Sequence, residues 1–164
     1  MGIGTKTVCH IAFVTKDIHR FVDNWKKLLG LKEDPKIWNI PPKEIAPALT
    51  FGKLEDYHGC IISVIQLDNL VIEVVQPGEE PSPWKLKLER DGEGFQHIAF
   101  IVPDRDEALN TLAEMGISEP YHIGYYPGQT YSFYDTKALL GMEVNIKYNV
   151  DNVARIASLL KEEQ

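Results

Sequence analysis

The sequence predicts an α+β fold built from two similar βαβββ modules and closed by a C-terminal helix. Three observations carry that expectation. The segment Val8-Cys9-His10-Ile11-Ala12-Phe13-Val14 matches Phe95-Gln96-His97-Ile98-Ala99-Phe100-Ile101, with His-Ile-Ala-Phe identical in both. An aspartate follows each histidine by seven residues, Asp17 and Asp104, placed to accept the free N–H groups of a helix's first turn. Each helical stretch then stops at a glycine, Gly30 and Gly116, followed by an aliphatic residue.

Each half therefore opens as strand, capped helix and glycine stop, with helices over Asp17–Leu29 and Arg105–Met115. Strands are expected over Leu49–Lys53, Cys60–Leu67 and Leu70–Gln76, the last two joined by an Asp68-Asn69 turn. Gly128–Asp135 and Gly141–Tyr148 take the corresponding places in the second half. Pro77–Pro83 closes the first module and Trp84–Arg90 reads as a short connecting helix. The modules span about 7–77 and 94–148 of one domain, and residues 151–161 read as an amphipathic helix from Val153, Ile156, Ala157, Leu159 and Leu160. Tyr121–Tyr131, aromatic and turn-rich, reads as a loop that is either a pocket wall or a tyrosine-anchored surface segment.

Bulk properties narrow the function. The 164 residues suffice for one domain with its own core. A formal charge of -7 argues against nucleic acid, whose binding proteins need a basic face to displace counterions. No apolar run has the length of a membrane span, so a cytoplasmic protein is expected. Cys9 and Cys60 read as small buried hydrophobes rather than a disulfide.

The chemistry is expected on the repeated strands. Strand side chains alternate, so His10 shares a face with Ala12 and Val14 while Ile11 and Phe13 turn toward the helix. His97 is placed likewise among Ala99 and Ile101. Glu73 interrupts the apolar run Val71–Val75, and Glu143 shares a face with Asn145 and Lys147. An ionised carboxylate in an apolar strand is costly unless paired or coordinated. His10, Glu73, His97 and Glu143, two imidazoles and two carboxylates at matched places, share an explanation as ligands of one divalent cation; cobalt, nickel, zinc and manganese all suit them. His19 and His58 read as facing solvent or capping local structure and carry no expected chemistry. Lys147 reads as a solvated strand end or a local anion partner.

At these residues the sequence resembles the vicinal oxygen chelate superfamily, which includes glyoxalase I, extradiol dioxygenases and antibiotic-resistance proteins. The resemblance covers residues 7 to 148 and implies a curved mixed sheet around a metal. Leu70–Pro77, Ser82-Pro83-Trp84 and Gly92–Ala99 are most similar to the methylmalonyl-CoA epimerases. That resemblance implies α-proton abstraction from a metal-chelated substrate, an acyl-CoA or thiol adduct. A glyoxalase I-like lyase and a non-catalytic antibiotic-binding module are the alternatives. Related enzymes imply Glu143 as a base as well as a ligand. They also imply a second base ahead of Glu73, for which Glu55 and Glu44 are the candidates. A homodimer is expected from the resemblance, although one chain carrying both modules can build a site alone. A full quartet argues against an extradiol dioxygenase, whose iron keeps two histidines and one carboxylate.

Overall fold

The structure, a computed structural model, describes residues 2–57, 59–117 and 119–162, so the expectation for His58 lies outside the described residues. In chain order the elements are β1 (Val8–Val14), α1 (Ile18–Leu29), β2 (Ile37–Asn39), β3 (Ala48–Thr50), β4 (Lys53–Glu55), β5 (Ile61–Gln66) and β6 (Val71–Gln76). Then come α2 (Pro83–Asp91), β7 (Gly94–Ile101), α3 (Arg105–Glu114), β8 (His122–Tyr126), β9 (Gln129–Tyr134), α4 (Lys137–Leu140), β10 (Glu143–Asn149) and α5 (Val153–Glu162). No helix among the described residues is long and apolar enough to cross a membrane.

The strands form one curled mixed sheet in the order β2-β5-β6-β1-β7-β10-β9-β8-β3-β4. At its centre β1 runs antiparallel to β7, while β1 pairs in parallel with β6 and β7 with β10. The series β1-β6-β5-β2 and β7-β10-β9-β8 thus mirror one another across the central pair, which is the duplication expected from the repeat. The helices follow the expected chemistry. Asp17 accepts from the Arg20 amide at 3.0 Å and Asp104 from the Glu107 amide at 2.9 Å. Gly30 ends α1 in the left-handed conformation, at φ 64°.

Two strands were not expected. β2 pairs with β5, completing the first module's series. His122–Tyr126, read from sequence as loop, is β8, and it forms a hairpin with β9. The expected strand over Leu49–Lys53 is two short strands, β3 and β4, with a turn at Phe51 (φ 50°) and Gly52 (φ 77°) between them. β3 does not stay in its own module: it crosses to the far edge and pairs with β8.

Burial explains the layers. α1 covers one side of β5 and β6 through Ile18, Val22, Ile65, Ile72 and Val74, with Ile11 and Phe13 packed against them. α3 does the same for the second module through Ala108, Leu112, Val144 and Ile146, joined by Phe100. The opposite face holds His10, Ala12, His97 and Ala99, all buried.

Glu93, just ahead of β7, clasps the two modules. Its Oε1 accepts from Thr15 Oγ1 at 2.7 Å and the Lys16 amide at 2.8 Å, and both oxygens accept from Arg20 at 2.7 and 2.9 Å. Those bonds, from the Lys16 amide first, then Thr15 and Arg20, hold its carboxyl down at about 2, below the ordinary 4.5. A carboxyl depressed on folding stabilises the fold above its ordinary value, and that contribution is lost as pH falls toward about 2. Glu93→Gln is expected to melt below the wild type at pH 7, with the gap narrowing as pH drops from 5 to 2.5. Thermal denaturation followed by circular dichroism checks this, and a gap independent of pH contradicts it.

Candidate metal centre

The central strand pair sets the site. In register, His10 stands opposite Ala99 and Ala12 opposite His97, so both imidazoles fall on one face and lean across the seam between modules. Each pairing is interrupted immediately before its histidine. Cys9 is skipped between the Val8 and His10 pairings, and Gln96 between those of His97 and Phe95. An extra residue of this kind bends its strand and re-aims the neighbouring side chain. Here the two irregularities are related by the internal repeat.

The outcome is close convergence. His10 Nε2 and His97 Nε2 lie 3.0 Å apart, and Glu73 Oε1 lies 3.8 Å from the first and 4.0 Å from the second. Glu73 arrives from β6, where it pairs with Ala12, the residue opposite His97. The small alanines leave the space the three tips occupy. Both imidazoles are deeply buried, and burial pushes them down, His10 to about 3 and His97 well below its ordinary value. They are neutral at physiological pH. Burial pushes the Glu73 carboxyl up, opposed by the charge of Lys147.

Hydrogen bonds around His97 fix its tautomer. The Gln96 amide nitrogen has two protons, and Pro83 O at 3.0 Å and Glu143 Oε2 at 3.3 Å take them. The Gln96 carbonyl oxygen therefore faces His97 Nδ1, 3.2 Å away, and Nδ1 must carry the proton. That leaves the Nε2 lone pair directed into the cluster, the state a metal ligand needs. Cys9 Sγ lies 3.8 Å from His10 Nδ1, a weak contact at the corresponding nitrogen of the other ring.

These donors fit one divalent cation. Donors held at about 2.1 Å on opposite sides of an ion are about 4.2 Å apart, and no pair in the cluster exceeds 4.0 Å. Two neutral imidazoles with one carboxylate also match the preferences of first-row metals.

Glu143, expected as the fourth ligand, is not brought into this group. Its carboxylate accepts from Tyr121 at 2.7 Å and Gln96 at 3.3 Å on Oε2, and from Arg90 at 3.2 Å on Oε1. The pairing register supplies the reason. Glu73 pairs with Ala12, but Ala99, the repeat's match for Ala12, pairs with Asn145, while Glu143 pairs with His97 two residues earlier. The match of Glu73-Val74 to Glu143-Val144 is thus two residues out of structural register. A shift of two preserves the face, so alternation alone could not expose it. With three donors grouped, the argument against an oxygenase from a full quartet does not carry over.

A cavity of about 50 Å³ opens over the cluster, walled by Trp84, Tyr126, Tyr131 and Phe133, with Asn145 and Lys147 beside the donors. Lys147 forms no ion pair with a carboxylate among the described residues. Neither Glu55, at the end of the edge strand β4, nor the exposed Glu44 lines this cavity, and Glu143 does not either. Burial keeps the Tyr126 phenol protonated, pushed up to about 12.

His122 is a residue that sequence reasoning left without a role. It is fully buried beneath the cavity wall. Its Nδ1 lies 3.0 Å from Thr50 Oγ1 and 3.1 Å from the Tyr57 hydroxyl, and its Nε2 3.4 Å from the Tyr131 hydroxyl. Burial holds it neutral, pushed down to about 3. This network ties the crossing strand β3 to β8. Its only signal in the sequence was an unexplained histidine among tyrosines.

The sequence model of the Glyoxalase/Bleomycin resistance protein/Dioxygenase superfamily matches residues 9–133. Among curated proteins none matches the chain. Among solved structures, a hypothetical protein from Bacillus halodurans is similar at 19% identity, over 88% of this chain and 95% of that one, with a TM-score of 0.59. Methylmalonyl-CoA epimerase from Mycobacterium tuberculosis is similar at 16% identity, over 94% and 95%, with a TM-score of 0.58. A variant of the Streptomyces coelicolor methylmalonyl-CoA epimerase, in complex with 2-nitronate-propionyl-CoA, is similar at 17% identity, over 86% and 92%, with a TM-score of 0.58. At these identities the likeness is one of fold.

Removing the Gln96 carbonyl tests its hold on His97. Gln96→Leu leaves the buried Nδ1–H of His97 and the Glu143 carboxylate each short of a partner, which costs about 1–3 kcal/mol. The melting temperature is expected to fall by roughly 2 °C or more. A variant melting with the wild type contradicts the assignment.

Proposed function

The chain belongs to the Glyoxalase/Bleomycin resistance protein/Dioxygenase superfamily, and on that premise we propose that it is a divalent-metal-dependent isomerase or lyase of the methylmalonyl-CoA epimerase kind. The convergence of His10, Glu73 and His97 within 4.0 Å of one another is the observation that carries this reading. When bound there, a divalent cation supplies Lewis-acid polarisation of a substrate's oxygens and so acidifies the adjacent C–H. The chain's own residues do the rest. Tyr126 keeps its proton, its hydroxyl has no hydrogen bond to a described residue, and it donates to a developing oxyanion. Lys147 adds positive charge on the same side. Trp84 and Phe133 exclude water from the reacting end.

Glu143, Glu55 and Glu44 do not line the cavity, so the proton at carbon passes to Glu73, the one carboxylate among its lining residues. The outer partners have a supporting role. Glu143 holds Gln96, and Gln96 holds the tautomer of His97.

The donor set favours a second reading. Two histidines and one carboxylate also serve non-haem iron oxygenases, which need no carboxylate base. Iron with oxygen uptake on a catechol would select it.

The test combines metal content with isotope exchange. Protein purified without an immobilised-metal column is expected to hold about one divalent ion per chain, and His97→Ala to lose it. Incubated with methylmalonyl-CoA in deuterated water, the loaded wild type is expected to place deuterium at the α-carbon. A protein that binds no metal and exchanges neither that proton nor, with methylglyoxal and a thiol, that of a hemithioacetal contradicts the proposal.

A further inference from the structure

A second cavity, of about 230 Å³, shares no wall residue with the one over the cluster. Phe51, Leu86 and Tyr121 supply its apolar walls, and Arg90, Asp135 and Glu143 its charges. We infer that it is a separate ligand site, and that it takes an aromatic ring carrying a primary amine on a short chain. The inference goes beyond the metal reading and does not depend on it.

Phe51 distinguishes this cavity from an ordinary surface hollow. Among the described residues it is the one non-glycine with a positive φ, 50°, in the turn between β3 and β4. Gly52 follows at 77°, so both central positions of the turn are left-handed, where asparagine or glycine is the unstrained choice. A bulky side chain is unfavourable there and persists only where its surroundings or its function require it. Core packing does not require it, since Phe51 is 64% exposed. Its amide donates to the Tyr121 carbonyl oxygen at 2.8 Å, and the two ring centroids lie 5.7 Å apart with planes inclined by 30°. A strained turn thus sets two aromatic rings side by side in the cavity wall, with Leu86 as the third apolar group.

Charge sets the ligand class. Arg90 is already engaged, by Asp91 at 3.0 Å and by Glu143 at 3.2 Å, and Lys137 is held by Asp91 at 2.7 Å. Asp135 is exposed and forms no ion pair with a described residue; it accepts from the Lys137 amide at 3.4 Å. Two cations therefore face three carboxylates, and the uncompensated charge on the cavity wall is negative. An ammonium group answers Asp135 and is attracted to aromatic faces as well. A ring on the same ligand packs against Phe51 and Tyr121. An anionic head of the same shape meets Asp135 and Glu143 instead, which disfavours it.

The probe is 2-phenylethylamine, with 2-phenylethanol and 3-phenylpropionate as comparators, titrated calorimetrically into the whole chain freed of metal. Metal-free protein keeps the result independent of the cluster. The amine is expected to bind one site per chain, the alcohol at least fivefold more weakly, and the carboxylate more weakly still. Asp135→Asn is expected to weaken the amine about fivefold and to leave the alcohol within twofold. Phe51→Asn is expected to weaken the amine about tenfold while melting above the wild type, because asparagine tolerates the left-handed turn. Equal binding of amine and alcohol, or an unchanged amine affinity in Asp135→Asn, overturns the charge assignment. No amine binding at millimolar concentration, or an unchanged affinity in Phe51→Asn, overturns the site.

Discussion

The antiparallel pairing of β1 with β7 is the constraint from which the site follows. Two imidazoles that belong to different modules, 87 residues apart in sequence, are held 3.0 Å apart because that pairing places them diagonally across one seam. The extra residue before each histidine turns the rings inward, and the alanine two residues beyond each leaves room. Burial keeps both rings neutral, so no repulsion between imidazolium charges opposes their approach, and a shared cation would satisfy the facing lone pairs. Among the described residues Glu73 is the one carboxylate that reaches them, and it comes from the strand parallel to β1.

Around this centre the polar groups form a graded shell. Gln96 connects His97 to Glu143, and Glu143 continues to Tyr121 on one oxygen and Arg90 on the other. Glu143 thus carries a charge compensated partly by Arg90, which leaves Lys147 and the cluster to set the field inside the cavity. The wall is anchored separately. His122, Thr50 and Tyr57 bind the crossing strand β3 to β8, so residues from the first module close the edge of the second.

Much of this was legible in the amino-acid order because duplication repeats the informative residues. The identical His-Ile-Ala-Phe segments, the capping aspartates and the glycine stops located both central strands and both helices to within a residue or two. The face assignment of His10 and His97 followed from alternation alone. What could not be read was pairing between distant segments. β2 is only three residues long, and nothing local tells β3 to leave its own module. The place of Glu143 outside the group could not be read for the same reason. Glu143 and Asn145 share a face, and only the register against β7 shows that Asn145 is the counterpart of Glu73.

The central claim is that His10, Glu73 and His97 bind one divalent ion together. X-ray absorption at the cobalt edge of stoichiometrically loaded protein tests it most directly. Two imidazole scatterers per cobalt, falling to one in His10→Ala, is the predicted result. A first shell of oxygen alone, unchanged by that substitution, would contradict the account.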